Sequence, residues 1–204
     1  SKAIAEGVPV SENDDTVSLT VSIAHGGSGG AGGNGGAAYA KLYETARITT
    51  TQDGSGGIVA QSIGGGGGNG GDSTASSAAK TMNALFEGED DDDGAGPKNF
   101  SLNIDVSLGG SGGAAGDGST VHVYHDGKIT THGGYADGIL AQSIGGGGGN
   151  AGTGSGSTKN ADAIKSAGVN VVIGGNGGGG GSGGAVNVGM DTSDASITTY
   201  GHVS

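Results

Sequence analysis

The run GGIVAQSIGGGGGNGG at residues 56–71 returns as DGILAQSIGGGGGNAG at 137–152, identical at thirteen of sixteen positions. An apolar run that opens into five glycines cannot continue as an ordinary core strand. Glycine brings no side chain to bury, and ordering it costs roughly 0.5–1 kcal/mol more than ordering alanine. A chain with 52 Gly in 204 residues either leaves such tracts flexible or packs bare backbone against bare backbone. Because the run recurs, the first question is the repeat, and it decides the fold class.

Three units align, at 17–71, 102–152 and 169–204. Each runs from a strand-like stretch through a GGxGG tract and a second short strand to the triplet ITT. The first two units continue into GI[VL]AQSI and five glycines. The ITT triplets open at Ile48, Ile129 and Ile197, 81 and 68 residues apart, so unit length varies. The slack is assigned to two inserts, 72–98 and 153–168. The third unit stops before its GI[VL]AQSI, and the opening SKAIAEGVPVSENDD resembles the tail of an insert with a small helical patch. The expected organisation is one repeat array over 1–204, cut at both ends from a longer one.

Alternation marks the strands. Val17, Leu19, Val21 and Ile23 alternate with small polar residues, as do Leu102, Ile104, Val106 and Leu108. In GILAQSI, Ile139, Ala141 and Ser143 face away from Leu140, Gln142 and Ile144, which suits a strand covered on both faces. In the insert, Ala75, Ala78, Ala79, Met82, Leu85 and Phe86 fall at helical spacing, with Ser73 or Thr74 to cap and Gly88 to stop a short helix. No unit has an adequate core alone, since each strand buries only a few small apolar side chains. Stacked coils supply the missing face. The expected fold is all-β, a parallel β-helix with ordered glycine tracts and short helical inserts. The alternative is a mixture of β-structure and a polyglycine-II-like bundle.

Charge narrows the partners. Eight Lys and Arg against twenty Asp and Glu give net charge −12, a poor match for phosphate backbones or anionic membranes. Without cysteine there is neither disulfide nor thiol chemistry. No apolar run reaches the ~18–20 residues of a membrane span, and no signal peptide is visible.

The string GI[VL]AQSIGGGGGNGG, with ITT shortly before it, resembles the glycine-rich repeats of large bacterial autotransporter passengers. The resemblance covers most of the chain outside the inserts. It implies a secreted β-helical segment at the bacterial cell surface or outside the cell, acting in adhesion, aggregation or biofilm. The implied partners are a surface ligand, a glycan or like chains. It implies no catalytic residue.

The candidate chemistry is sparse. GxGxxG matches are trivial in tracts this rich in glycine, and no GxxxxGK[ST] follows. The preferred reading of the glycines is ordered extended tracts lying side by side, with Asn34, Asn69, Asn150 and Asn176 at turns of positive φ. The repeat motif residues Ile58, Ala60, Gln61, Ser62, Ile63 and Ile139, Ala141, Gln142, Ser143, Ile144 are structural, the Gln–Ser pairs forming a ladder within the solenoid. No cofactor is expected; the acidic run between Glu87 and Asp93 is the one place with oxygens for Ca²⁺, and its spacing is not an EF-hand. His122 and His125 point to opposite faces, and His132 aligns with Thr51 and Tyr200 at an outward position, so no metal set forms. Enzymatic chemistry on polysaccharide would need clustered carboxylates, and Asp105, Asp117, Asp126 and Asp137 are the strand-bearing candidates, with Lys41, Arg47 and Lys128 thinly spread. Threonines of ITTT, ITTH and ITTY fall in register, the pattern of an ice-binding face. The chain is read as a non-enzyme.

Overall fold

The computed structural model describes residues 2–6, 10–12, 15–78, 100–159 and 165–201. Among them there is no helix. β1 (Lys2–Glu6) precedes the first coil, which contains β2 (Val10–Glu12), β3 (Asp15–His25), β4 (Ala38–Leu42), β5 (Arg47–Thr50), β6 (Ile58–Ile63) and β7 (Ser73–Ala78); β1 takes the place of β7 one coil earlier. The second contains β8 (Phe100–Leu108), β9 (Val121–His125), β10 (Lys128–Thr131), β11 (Ile139–Ile144) and β12 (Gly154–Lys159). The third contains β13 (Lys165–Ile173), β14 (Val186–Gly189) and β15 (Ser196–Thr199). Every pair between coils is parallel and joins equivalent positions of the repeat, as in Ile48↔Ile129↔Ile197. The chain is therefore all-β, built of parallel sheets stacked in register like a solenoid.

Two helical expectations fail. Ser73–Ala78 is strand β7, paired with β12 at Ser73↔Gly154, and Lys2–Glu6 is strand β1, paired with β7 at Ala3↔Ala75. Alanine and serine at alternate positions suit a closely packed sheet as well as a helix, and pairing decides between them. Both inserts thus begin with a strand of the array. The rest of the expected helix, with Met82, Leu85 and Phe86, and the acidic run from Glu87 to Asp93 lie outside the described residues.

The chain divides into two compact units that cut across the repeats. Unit 1 comprises 1–29, 69–112 and 150–177, and unit 2 comprises 30–68, 113–149 and 178–204. Unit 1 holds a sheet of order β13-β8-β3-β2 and a sheet of order β1-β7-β12. Its interior reverses the expected polarity. Thr20, Ser22, Ser101, Asn103, Asp105 and Ser107 are buried, whereas Leu19, Val21 and Ile23 are 56%, 45% and 63% exposed. The reason is spacing between the sheets: a Cβ added at Gly154 would lie 2.8 Å from the Ser107 carbonyl oxygen, and one at Gly168 2.7 Å from Thr158 Oγ1. Leucine and isoleucine do not fit in that gap, so the small polar face turns inward.

Unit 2 holds sheets β4-β9-β14, β15-β10-β5 and β11-β6. Here the apolar face is inside. Val121, Val123 and Ala60 form the core, with Ala38, Ala40, Ile58, Ile139 and Ala141 packed against it. Ile129 is fully buried, its Cγ2 against Gly57.

The glycine tracts are ordered. Gly26, Gly29, Gly32 and Gly35 donate in turn to the carbonyls of Leu108, Ser111, Ala114 and Asp117, one bond every three residues. Three residues per turn is the period of the extended polyproline-II conformation. The tract after β8 repeats the pattern onto the third coil, from Gly109, Gly112, Ala115 and Gly118 to Ile173, Asn176, Gly179 and Ser182. A second set of bonds joins antiparallel tracts, such as Gly110, Gly113 and Gly116 to the carbonyls of Gly71, Gly68 and Gly65. Backbones approach this closely only without side chains: a Cβ at Gly67 would overlap the Gly113 carbonyl oxygen.

Candidate binding surface: the outward ranks of the coils

Each strand sends one face inward, and its other face recurs at the same height in the next coil. The AQSI motif shows how. Ala60 and Ser62 are buried, with Ile58, Ile139, Ala141 and Ser143 also on the inner side. Ser62 Oγ accepts from Ser119 N at 2.8 Å, and Ser143 Oγ donates to the Ser119 carbonyl at 2.7 Å, so the hydroxyls tie this strand to the end of a glycine tract. Gln61 Nε2 donates to Gln142 Oε1 at 3.0 Å, but this amide ladder is exposed and not within the solenoid. Ile63 and Ile144, at 56% and 44% exposure, flank it.

The outer face of β5, β10 and β15 carries the register pairs Thr49↔Thr130↔Thr198 and Arg47↔Lys128↔Ser196. Just past these strands, His132 stacks on Tyr200 with ring centroids 4.8 Å apart, both exposed. On β4 and β9 the outward groups are Tyr39, Tyr124 and His122, the tyrosine centroids 5.9 Å apart, and Lys41 Nζ lies 5.3 Å from the Tyr43 ring centre. His125, by contrast, is buried at 3% exposure, opposite in direction to His122 as the strand alternation requires. In unit 1 the outward face of β3, β8 and β13 is apolar, with Val169, Val171 and Ile173 continuing the ranks of Ile104, Val106 and Leu108.

One turn in unit 2 stands apart. Tyr135 has φ 54°, the only positive φ at a non-glycine among the described residues, and its counterpart in the first coil is Gly54 at φ 69°. The left-handed region costs an L-residue about 1–2 kcal/mol. The tyrosine that takes it is 64% exposed and lines a shallow open depression with Ala136, Asp137, Gly138, Thr199 and Gly201. An aromatic ring, a carboxylate and a hydroxyl thus surround one concavity, beside a backbone position held in a sparsely populated conformation. The sequence signal was there to read: where the first coil has Gly54 in QDGSGG, the second has Tyr135 in HGGYAD.

The asparagines do not sit at turns of positive φ. Asn34 Oδ1 accepts from Asp117 N, and Asn69 Oδ1 from Asn150 N. Asp53, Asp72, Asp117 and Asp126 accept in the same way from Gly134, Thr153, Ser182 and Asp191. In all six, the side chain of one coil takes the N–H of its counterpart in the next. These are N–H groups that the tract-to-tract bonds leave over. Asp72 also accepts from Thr153 Oγ1 at 2.8 Å, and the two bonds from Thr153, the backbone one first, hold its carboxyl below the ordinary value of 3.8.

The four strand-bearing carboxylates do not converge. Asp105 is in the interior of unit 1, Asp117 and Asp126 bond to the next coil, and Asp137 alone reaches the depression. Among the described residues no three His, Asp or Glu are grouped to hold a metal ion. No family model, curated protein or solved structure matches this chain.

Proposed function

We propose that this chain is a structural and adhesive segment of an extracellular bacterial passenger, a parallel β-helix displayed as a stalk, and not an enzyme. The observation that supports a mechanical role is the glycine lattice. The central tract, 109–118, bonds to parallel tracts on either side and also to antiparallel ones, so coils are joined along their backbones as well as through their sheets. Pulling such a stack apart requires breaking many short bonds together. The same register turns every outward side chain into a rank, which offers a partner several equivalent contacts at once. The strained Tyr135 and the His132–Tyr200 stack give unit 2 its most specific contact surface, suited to a glycan or another polar ring. The apolar ranks of unit 1 suit like chains.

Display of residues 1–204 on a bacterial surface through a heterologous β-barrel tests the reading. Cells carrying the chain should aggregate or bind glycan-coated surfaces, and Tyr135→Gly with Tyr200→Ser should weaken the glycan binding while the displayed level stays the same. Cells that neither aggregate nor bind would refute the adhesive part.

A second reading has one observation behind it. Thr49, Thr130 and Thr198 stand in register on an outward face, as ice binding would need. It predicts thermal hysteresis in a solution of the purified chain, and a freezing curve with none removes it.

A further inference from the structure

Among the described residues, nothing balances the carboxylate of Asp105 in the interior of unit 1. Asp105 is fully buried on β8, and neither of its oxygens has a hydrogen-bond partner. Its flanking positions in the sheet are Ser22 and Asn170. Ser22 Oγ is spent on the Ala3 carbonyl at 3.1 Å. The opposite wall is set by two contacts, Ser73 Oγ to Ser107 Oγ at 2.8 Å and Asn103 Nδ2 to the Lys159 carbonyl at 3.3 Å. Between these contacts, Ala75 falls opposite Asp105 while its neighbour Gly156 faces Asn170, and neither Ala75 nor Gly156 can donate a side-chain hydrogen bond. In the next row, Thr20 Oγ1 and Ser77 Oγ are also buried without partners.

A carboxylate buried without a partner does not stay a bare charge in a dry interior: it holds either a proton or a cation. The unclaimed atoms are all oxygens, which selects a hard cation and excludes the metals that seek imidazole or thiolate. In its ionised form the one carboxylate among neutral hydroxyls carries a single negative charge, which a monovalent ion neutralises and a divalent ion overshoots. Alternate rows of a strand are about 6.6 Å apart, so an ion seated between them is about 3.3 Å along the strand from each. We propose that unit 1 binds one alkali cation, Na⁺ or K⁺, between the row of Ser22 and Asp105 and the row of Thr20 and Ser77, with Asp105 as its charged ligand.

The experiment uses the whole chain, prepared in choline chloride and melted in choline, sodium, potassium and calcium chlorides at equal ionic strength. That matching holds constant the screening of net charge −12. Sodium or potassium should raise the melting midpoint with a saturable dependence on concentration. Asp105→Asn should abolish that dependence, and exposed Asp137→Asn should keep it. Should Asp105→Asn not fold, Rb⁺ soaked into crystals of the natural chain should give an anomalous peak beside Asp105. The proposal is overturned by equal midpoints in choline, sodium and potassium, by an alkali-ion shift that survives in Asp105→Asn, or by the absence of the Rb⁺ peak. A shift confined to calcium overturns the assignment to an alkali ion.

Discussion

Gly67→Ala separates an ordered glycine lattice from a flexible linker. Its Cβ would overlap the Gly113 carbonyl oxygen and come within 2.9 Å of Gly149 N, inside the bond from Gly149 N to that same oxygen. Losing a buried backbone bond and stranding its groups costs about 1–3 kcal/mol. Forcing the tracts apart adds about 1–3 kcal/mol. Against this, alanine lowers the entropy of the unfolded chain, a gain of about 0.4–1 kcal/mol. The net loss is about 1–5.5 kcal/mol, or about 2–20 °C in Tm for a chain of this size. Gly33→Ala is the control, since a Cβ there meets nothing within 4 Å, and it should be neutral or stabilising by up to about 1 kcal/mol. Urea and thermal unfolding followed by far-UV circular dichroism give both values. If the two variants unfold alike, the tracts are not packed as described.

Tyr135→Gly should stabilise the chain by up to about 1.5 kcal/mol, because relief of the left-handed backbone that Gly54 adopts freely in the first coil exceeds the added unfolded-chain entropy of glycine; a loss of stability in urea would contradict this. Ile129→Ala, at a fully buried position, should cost about 2–5 kcal/mol, whereas truncating exposed Val59 should change the urea midpoint little. Glutamate at both Gln61 and Gln142 would replace the exposed amide bond with stacked like charges, and the double variant should lose about 0.5–1 kcal/mol at neutral pH and recover it in acid. Asp72 has a depressed pKa, so its contribution is present above the ordinary carboxylate value and is lost as pH falls through the lowered one; the stability gap between the natural chain and Asp72→Ala should shrink from pH 7 toward pH 2.

The repeats and their register were legible from sequence, because ITT and AQSI recur with the same neighbours and parallel stacking joins equals. The sense of the unit 1 sheets was not. Alternation shows that Leu19, Val21 and Ile23 share a face, but which face is inside depends on how near the opposing sheet lies, and that is set by Ala75, Gly154 and Gly156 far away in sequence. The strand at Ser73–Ala78 was hidden for a related reason: small residues spaced for a helix are also spaced for a tight sheet. The phase of the glycine tracts was written in the sequence but not in the strand-like patterns used to read it. Ser28, Ala31, Asn34 and Ala37 are the non-glycine residues of the first tract, one every three, and a Cβ at Gly27, Gly30, Gly33 or Gly36 likewise meets nothing within 4 Å. Tyr135 was missed because a residue that breaks a repeat looks like drift until its backbone is known.

Amide hydrogen exchange on the ¹⁵N-labelled chain tests the ordered lattice most directly. In the central tract Gly110, Gly112, Gly113, Ala115, Gly116 and Gly118 all donate backbone bonds, while the N–H groups of Ser111 and Ala114 are outside that set. An ordered lattice gives slow exchange at these donors and at Gly109, and fast exchange at Ser111 and Ala114, a pattern with a period of three. Uniformly fast exchange from Gly109 to Gly118 would contradict it.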